Sequence, residues 1–371
     1  MLWLKFKKRR SMMSDTVYHE LREILDKIPN GFPATPDGLE IRILKKIFTE
    51  EEAKIATRMK MKFETAEAMA ERTGMDPVYL KKKLDEMTNK GQISGITIEK
   101  TTIYKLVPFA FGIFEFQLNR MDREFAELMH QYTTSDANKE FHSTPPALMK
   151  VIPVEKEIPH DSVIQPYESA TKLIEGAKSW AVAECICKKE QQLLGKRCEY
   201  PLEVCLAIAP LENFFDTFFW GRPISKDEAL KILNAAEEAG LVHLTSNVQE
   251  GHIYICNCCS CCCGMLRGIT EFGITEAVAH SNYRAVVDVD NCTSCGACQQ
   301  RCHVGAIDMV ETAAVNGQCI GCGLCVSSCP VEAIKMVRRD EADILYVSAD
   351  EKEWMKKRAE SRGRLDYKEL L

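Results

Sequence analysis

All eighteen cysteines of this 371-residue chain lie at or beyond Cys185, and eight of them form a repeated pattern. The pattern is Cys292-x2-Cys295-x2-Cys298-x3-Cys302, then Cys319-x2-Cys322-x2-Cys325-x3-Cys329-Pro330. The flanks repeat as well: VVDVDNCTSCGACQQRCHVGAIDMV is followed by AVNGQCIGCGLCVSSCPVEAIKMV. Each half reads as strand, cysteine loop, short helix, strand. Three thiolates spaced by two residues can wrap a loop around one compact metal centre, while a fourth on the next helix points away from it. Zinc knuckles use paired C-x2-C steps, not three even steps repeated twice. The run from Cys298 to His303 is C-x3-C-H, one residue too long for c-type haem attachment. A secreted disulfide scaffold would be far shorter.

The repeat resembles the bacterial-type dicluster ferredoxins over about 55 residues, and that resemblance implies two [4Fe–4S] clusters and one-electron chemistry. It also implies the ligand sets: Cys292, Cys295, Cys298 and Cys329 for one cluster, and Cys319, Cys322, Cys325 and Cys302 for the other. Gly296, Gly321 and Gly323 would let loop amides approach sulfur and stabilise the reduced state. His303 departs from the family, which usually has proline there; it reads as a helix-end residue that could tune the nearby potential by a hydrogen bond.

Ten cysteines remain: Cys185, Cys187, Cys198, Cys205, Cys256, Cys258, Cys259, Cys261, Cys262 and Cys263. Packing does not call for so many buried thiols, and adjacent cysteines in CNCCSCCC rarely meet disulfide geometry. Metal is the expectation, with three forms open: a third iron–sulfur cluster, which we favour; a zinc site; or a catalytic cluster, since Cys262-Cys263-Gly264 distantly resembles the cysteine-rich domains of heterodisulfide reductases. Position alone favours Cys187, Cys198 and Cys205 with one or more of Cys256–Cys263. The whole order resembles a group of ferredoxin-like proteins of anaerobic bacteria and archaea. Those share a winged-helix start, a stretch like Pro108–Gln117, a cysteine-rich middle and a dicluster module.

The expected fold class is α+β and multidomain. Residues 15–107 read as helices over Glu50–Met61, Glu64–Gly74 and Val78–Lys90, with Asp76 as N-cap and Pro77 at the first helical position. A hairpin of Ile93–Ile98 and Thr102–Val107 follows, and the order resembles a winged helix-turn-helix domain. Residues 108–180 read as a connector, with a helix over Phe109–Tyr132 and a proline-rich, extended His142–Pro166 laid over a neighbouring surface. Residues 181–283 form the cysteine-rich domain, including a helix at Ser225–Gly240 with Ser225 and Glu228 in capping-box spacing, then the strand-like LVHLTS. Residues 284–338 form the ferredoxin-like α+β dicluster module. Residues 339–371 are a charged tail ending in a helix on the outside.

The net charge of −6 gives no global push toward nucleic acid or membrane. No apolar run approaches the ~20 residues that span a bilayer, and MLWLKFKKRR is too short and charged for a secretory signal. Thiolates held by metal point to a reducing cytoplasm. Met12 and Met13 are alternative starts.

Three functions compete. The first is an electron-transfer protein or subunit, a wire that needs no substrate pocket and serves redox partner proteins, within a larger oxidoreductase complex by analogy. The second is a redox-sensing regulator that binds DNA through Lys81, Lys82 and Lys83, disfavoured because Asp85 and Glu86 share that helix and it lacks residues for bidentate base contacts. The third is an oxidoreductase with its own catalytic cluster in the middle domain. No dinucleotide-binding, phosphate-binding or nucleophile-elbow motif occurs, so an electron-transfer component is favoured over a complete enzyme.

Overall fold

The computed structural model describes residues 2–159 and 164–371, with side chains from Asp15 onward. Among them the protein is mixed α and β with four sheets. The long α1 (Leu2–Lys27) buries Leu21 and Leu25, spaced for one helix face, and Ile28 just past its end is buried with them, in the core shared with α2 (Leu39–Ile47) and α3 (Glu50–Ala56). Thr49 and Glu52 close a reciprocal capping box at the start of α3. The short β1 (Glu64–Thr65) precedes α4 (Ala66–Thr73), which stops at Gly74 in the left-handed region. Asp76 accepts the Tyr79 N–H at 2.7 Å to start α5 (Pro77–Asn89). Strands β2 (Ser94–Ile98) and β3 (Thr101–Lys105) form a hairpin over the two-residue turn Glu99–Lys100, and the antiparallel sheet has the order β1–β3–β2.

One long helix over Phe109–Tyr132 does not form. Ala110 is extended, Phe111 has a φ of +40°, and Gly112 is extended, so helical hydrogen bonding cannot pass through them. The cause is packing on two sides. Phe109 stacks on Phe32 in the N-terminal core at 4.0 Å, while Phe111 stacks on Tyr254 at 5.6 Å, and only a reversal of the chain serves both. Helix resumes as the single turn α6 (Phe114–Phe116), then α7 (Arg123–Thr133), which Asp122 caps through the Phe125 N–H.

After α8 (Ala137–Ser143) the proline-rich stretch is extended, but it is not laid over a surface. Its β4 (Met149–Ile152) is buried at every position and pairs with a strand of the cysteine-rich region. Residues 160–163 of that stretch lie outside the described residues. The chain continues through α9 (Ala170–Gly176), β5 (Ser179–Glu184), α10 (Ile186–Leu193), β6 (Glu203–Ala209), β7 (Arg222–Ile224), α11 (Lys226–Ala239), β8 (Val242–Ser246), β9 (Tyr254–Cys258) and α12 (Gly264–Thr270). These strands with β4 make an antiparallel sheet of order β4–β8–β9–β6–β5–β7. Helices α9 and α11 contribute to a core built on Ile152, Val182, Leu206, Leu233 and Ile255. Ser225 caps α11 through the Glu228 N–H at 3.1 Å; the Glu228 carboxylate turns to Arg222 instead of closing the box.

The repeat folds as two crossed pairs. Its first strand β10 (Tyr283–Val287) pairs with its last, β13 (Ile334–Arg338), while β11 (Ile307–Met309) pairs with β12 (Ala313–Val315). The first half has the expected short helix, α13 (Ala297–Arg301); the second half has turns only after Cys325. The tail carries α14 (Glu351–Ser361), and it is not simply external. Arg358 is fully buried and donates to the carbonyls of Pro29, Phe141, Thr144 and Pro146.

Candidate metal centres

Crossed strand pairing decides which thiols meet. Because the outer strands come from opposite halves, each half's last cysteine faces the other half's loop. Cys302 joins Cys319, Cys322 and Cys325 around one pocket. Cys329 joins Cys292, Cys295 and Cys298 around another. Most of the remaining lining is apolar, including Val304, Ile307 and Met336 in the first and Met309, Ala313 and Ile334 in the second.

The local backbone repeats as well. The Ala306 N–H donates to Cys302 Sγ and the Ala333 N–H to Cys329 Sγ, both at 3.2 Å. Gly321 has a φ of +74°, and a Cβ there would lie 2.1 Å from the Tyr283 carbonyl oxygen, so only glycine fits. Four thiols around a hollow, with amide donors on sulfur, suit a [4Fe–4S] cluster, which needs four thiolates and room for its core. The two sites differ in exposure. Burial pushes the Cys322 thiol up to about 12 and raises Cys325 as well. Cys295 is exposed, and amides of Ala313 and Ser294 hold the Cys292 thiol below its ordinary value.

The ten middle cysteines divide into two sets. Cys198, Cys259, Cys261 and Cys262 bring their sulfurs within 4.8 Å of one another. The other six form a chain of neighbours: Cys187 to Cys185, then Cys205, Cys256, Cys258 and Cys263. Hydrogen bonds from the Cys187 and Cys205 thiols hold Cys185 well below the usual thiol value, and raise those two partners in turn. The start of α10 just after β5, strands β6 and β9, and the start of α12 supply this second set, so the sheet aligns thiols that are distant in sequence. Position had favoured Cys198 with Cys187 and Cys205; these three pack against one buried cluster with Cys185, Cys259 and Cys262, and within it the Cys198 sulfur gathers with those of Cys259, Cys261 and Cys262. Nearby, Glu115 accepts the Gly112 N–H at 2.7 Å, and burial pushes its carboxyl up to about 7.

One supporting group escaped the sequence reading, and another does more than it implied. Lys188 is buried, donates to the Pro201 carbonyl at 2.6 Å, and faces both thiol sets, lowering Cys185 and Cys259. It was hidden in a Lys-Lys-Glu run that reads as solvated. His303 does more than end a helix. Its Nε2 donates to the Gly240 carbonyl at 2.7 Å, so Nδ1 is the acceptor for the Ser260 N–H at 3.3 Å and the Ser260 hydroxyl at 3.1 Å. Ser260 lies inside the cysteine run, so this ring ties the middle region to the residue after Cys302. The departure from proline at this position was the one signal available.

No helix among the described residues is long and apolar enough to cross a membrane. Comparison with curated proteins and with solved structures gives no match for the chain. Residues 285–336 match the family model of the 4Fe-4S dicluster domain, the stretch that carries both four-thiol cavities. On that match and those cavities, the chain carries a 4Fe-4S dicluster domain at residues 285–336.

Proposed function

We propose that this protein passes single electrons between redox partner proteins, through two [4Fe–4S] clusters in residues 284–338 and a third held by four of the six neighbouring thiols of Cys185, Cys187, Cys205, Cys256, Cys258 and Cys263. The observation that carries the reading is the pair of cavities, each lined by three thiols of one loop and one of the other. A [4Fe–4S] cluster supplies reversible one-electron storage. The chain's part is to exclude water with apolar side chains, fix the thiolates, and aim amides at sulfur. The Cys292, Cys295, Cys298 and Cys329 site suits exchange with a partner, because Cys295 is exposed and the apolar Val310 and Val331 stand exposed beside it.

In this reading the module at 15–107 is a winged-helix-like docking domain. Its helix–strand order and three-stranded sheet support that assignment. DNA binding is disfavoured: Lys81 pairs with Asp85 and Lys83 with Glu51, each at 2.8 Å, while Val78 and Tyr79 on the same helix are exposed. The cytoplasm is the compartment such thiolate ligation suits.

Purification without oxygen, followed by iron and sulfide counts and EPR of the dithionite-reduced protein, tests the proposal. About twelve irons per chain are expected, and about eight would remove the third cluster. Protein without iron and acid-labile sulfide would overturn the reading. DNA affinity that falls steeply with salt would favour the regulator instead.

A further inference from the structure

The four-thiol set of Cys198, Cys259, Cys261 and Cys262 is built differently from the cluster cavities. Its sulfurs all lie within 4.8 Å of one another. They touch: Cys198 to Cys259 at 3.9 Å, Cys198 to Cys261 at 3.8 Å, and Cys261 to Cys262 at 3.7 Å. Among the described residues this is the one group of three or more ligating side chains gathered so tightly. A tetrahedral ion with metal–sulfur bonds of about 2.3 Å places its ligand sulfurs about 3.8 Å from one another. A four-iron cube carries its thiolates on outer corners and needs room between them, as in the C-terminal cavities. We infer that Cys198, Cys259, Cys261 and Cys262 bind a single zinc ion in tetrahedral thiolate coordination, separate from any iron–sulfur cluster.

The surroundings fit a closed, structural site. All four positions are taken by thiols, so no coordination site is left for a substrate. Cys259 and Cys262 are buried, and the buried ammonium of Lys188 offsets the negative charge that four thiolates leave on the complex. The two chain segments joined have no regular secondary structure of their own. One is the link between α10 and β6 that carries Cys198; the other is the turn after β9. Backbone bonds run from the Cys262 and Cys263 N–H groups to the Cys259 carbonyl, and His303 grips Ser260 between the ligands. An ion here would staple those segments and hold them against the dicluster module. A disulfide is the poorer reading, because one pair of near sulfurs comes from adjacent residues.

This inference stands apart from the cluster assignments, and one set of measurements separates them. The full chain, purified without oxygen, is assayed for zinc, iron and sulfide beside Cys261→Ser, whose exposed side chain leaves the core intact, and the Cys259→Ser/Cys262→Ser double variant. About one zinc per chain is expected, lost at least tenfold in the double variant with iron and sulfide unchanged. Cobalt(II) put in place of zinc should show the charge-transfer bands of four thiolates, weakened in Cys261→Ser. If the double variant loses iron and sulfide together, the four thiols hold a cluster and the inference fails. It also fails if the site takes up a lone iron, or if the wild-type protein holds all its iron but no zinc.

Discussion

Water reaches the two C-terminal sites unequally, and single thiols show it. Burial disfavours thiolate at Cys322 and Cys325 until a cation is present, whereas Cys295 is exposed and Cys292 has amide donors to hand. Exposure and thiolate character govern oxidation. The site of Cys292, Cys295, Cys298 and Cys329 should therefore be the first lost when air is admitted, seen as stepwise loss of EPR signal and iron; loss first from the buried site would contradict this assignment. His142 makes a second prediction at this scale. Burial, and then the Arg358 and Arg267 charges, lower its pKa from 6.5 to about 4, so the folded protein keeps the ring neutral where the unfolded chain protonates it. Stability from this group is present above pH 6.5 and is lost as the pH falls toward 4, by about 3 kcal/mol in all. In His142→Gln, denaturant unfolding under anaerobic conditions should show a shallower decline over that window than in the parent protein.

Elements meet the cluster module end-on. The last turn of α11 leaves carbonyls free, and Arg301 takes three of them, those of Glu237, Glu238 and Ala239. His303 takes the fourth, that of Gly240, which sits at a φ of +89° with the Arg301 guanidinium where a side chain would go. A cation at a helix C-terminus also complements the helix dipole. Gly240→Ala should cost roughly 1–2 kcal/mol from the left-handed backbone alone, with a further loss as Arg301 is displaced. Arg301→Ala should loosen the same junction, read as faster amide exchange in both α11 and the loop of Cys292–Cys298. Exchange rising in α11 alone would show that the helix end and the module are not joined as described.

Across the whole molecule, the tail acts as a clamp. Arg358 reaches the N-terminal region and the segment before β4 in one set of hydrogen bonds, and Arg362 and Arg364 both engage Asp26, at 2.6 and 2.8 Å. Met61 N–H donates to the Leu370 carbonyl, closing the contact from the chain's end. A second tie is the buried pair of Lys150 and Glu168 at 3.3 Å, with Asn282 donating twice to the carboxylate just ahead of the dicluster module. Arg358→Leu would strip donors from four carbonyls, and should cost at least about 3 kcal/mol in denaturant unfolding. Arg364→Ala, whose partner Asp26 keeps Arg362, should cost under about 1 kcal/mol. Equal effects of the two would mean that the tail packs without the clamp.

The sequence alone determined the 4Fe-4S dicluster character of residues 285–336. Ligand spacing is set by residues within one loop, and a duplicated loop carries its rule in every copy, so Cys292–Cys329 were legible without coordinates. Caps at Asp76 and Ser225 were legible for the same reason: donor and acceptor lie three residues apart. Only the tertiary structure divided the ten middle cysteines, because β5, β6 and β9 must pair before Cys185, Cys205 and Cys256 become neighbours. The break at Phe111 and the burial of Arg358 were equally hidden, since each answers to partners more than a hundred residues away in the chain. Local spacing specifies what a loop can hold, and long-range pairing specifies which loops share it.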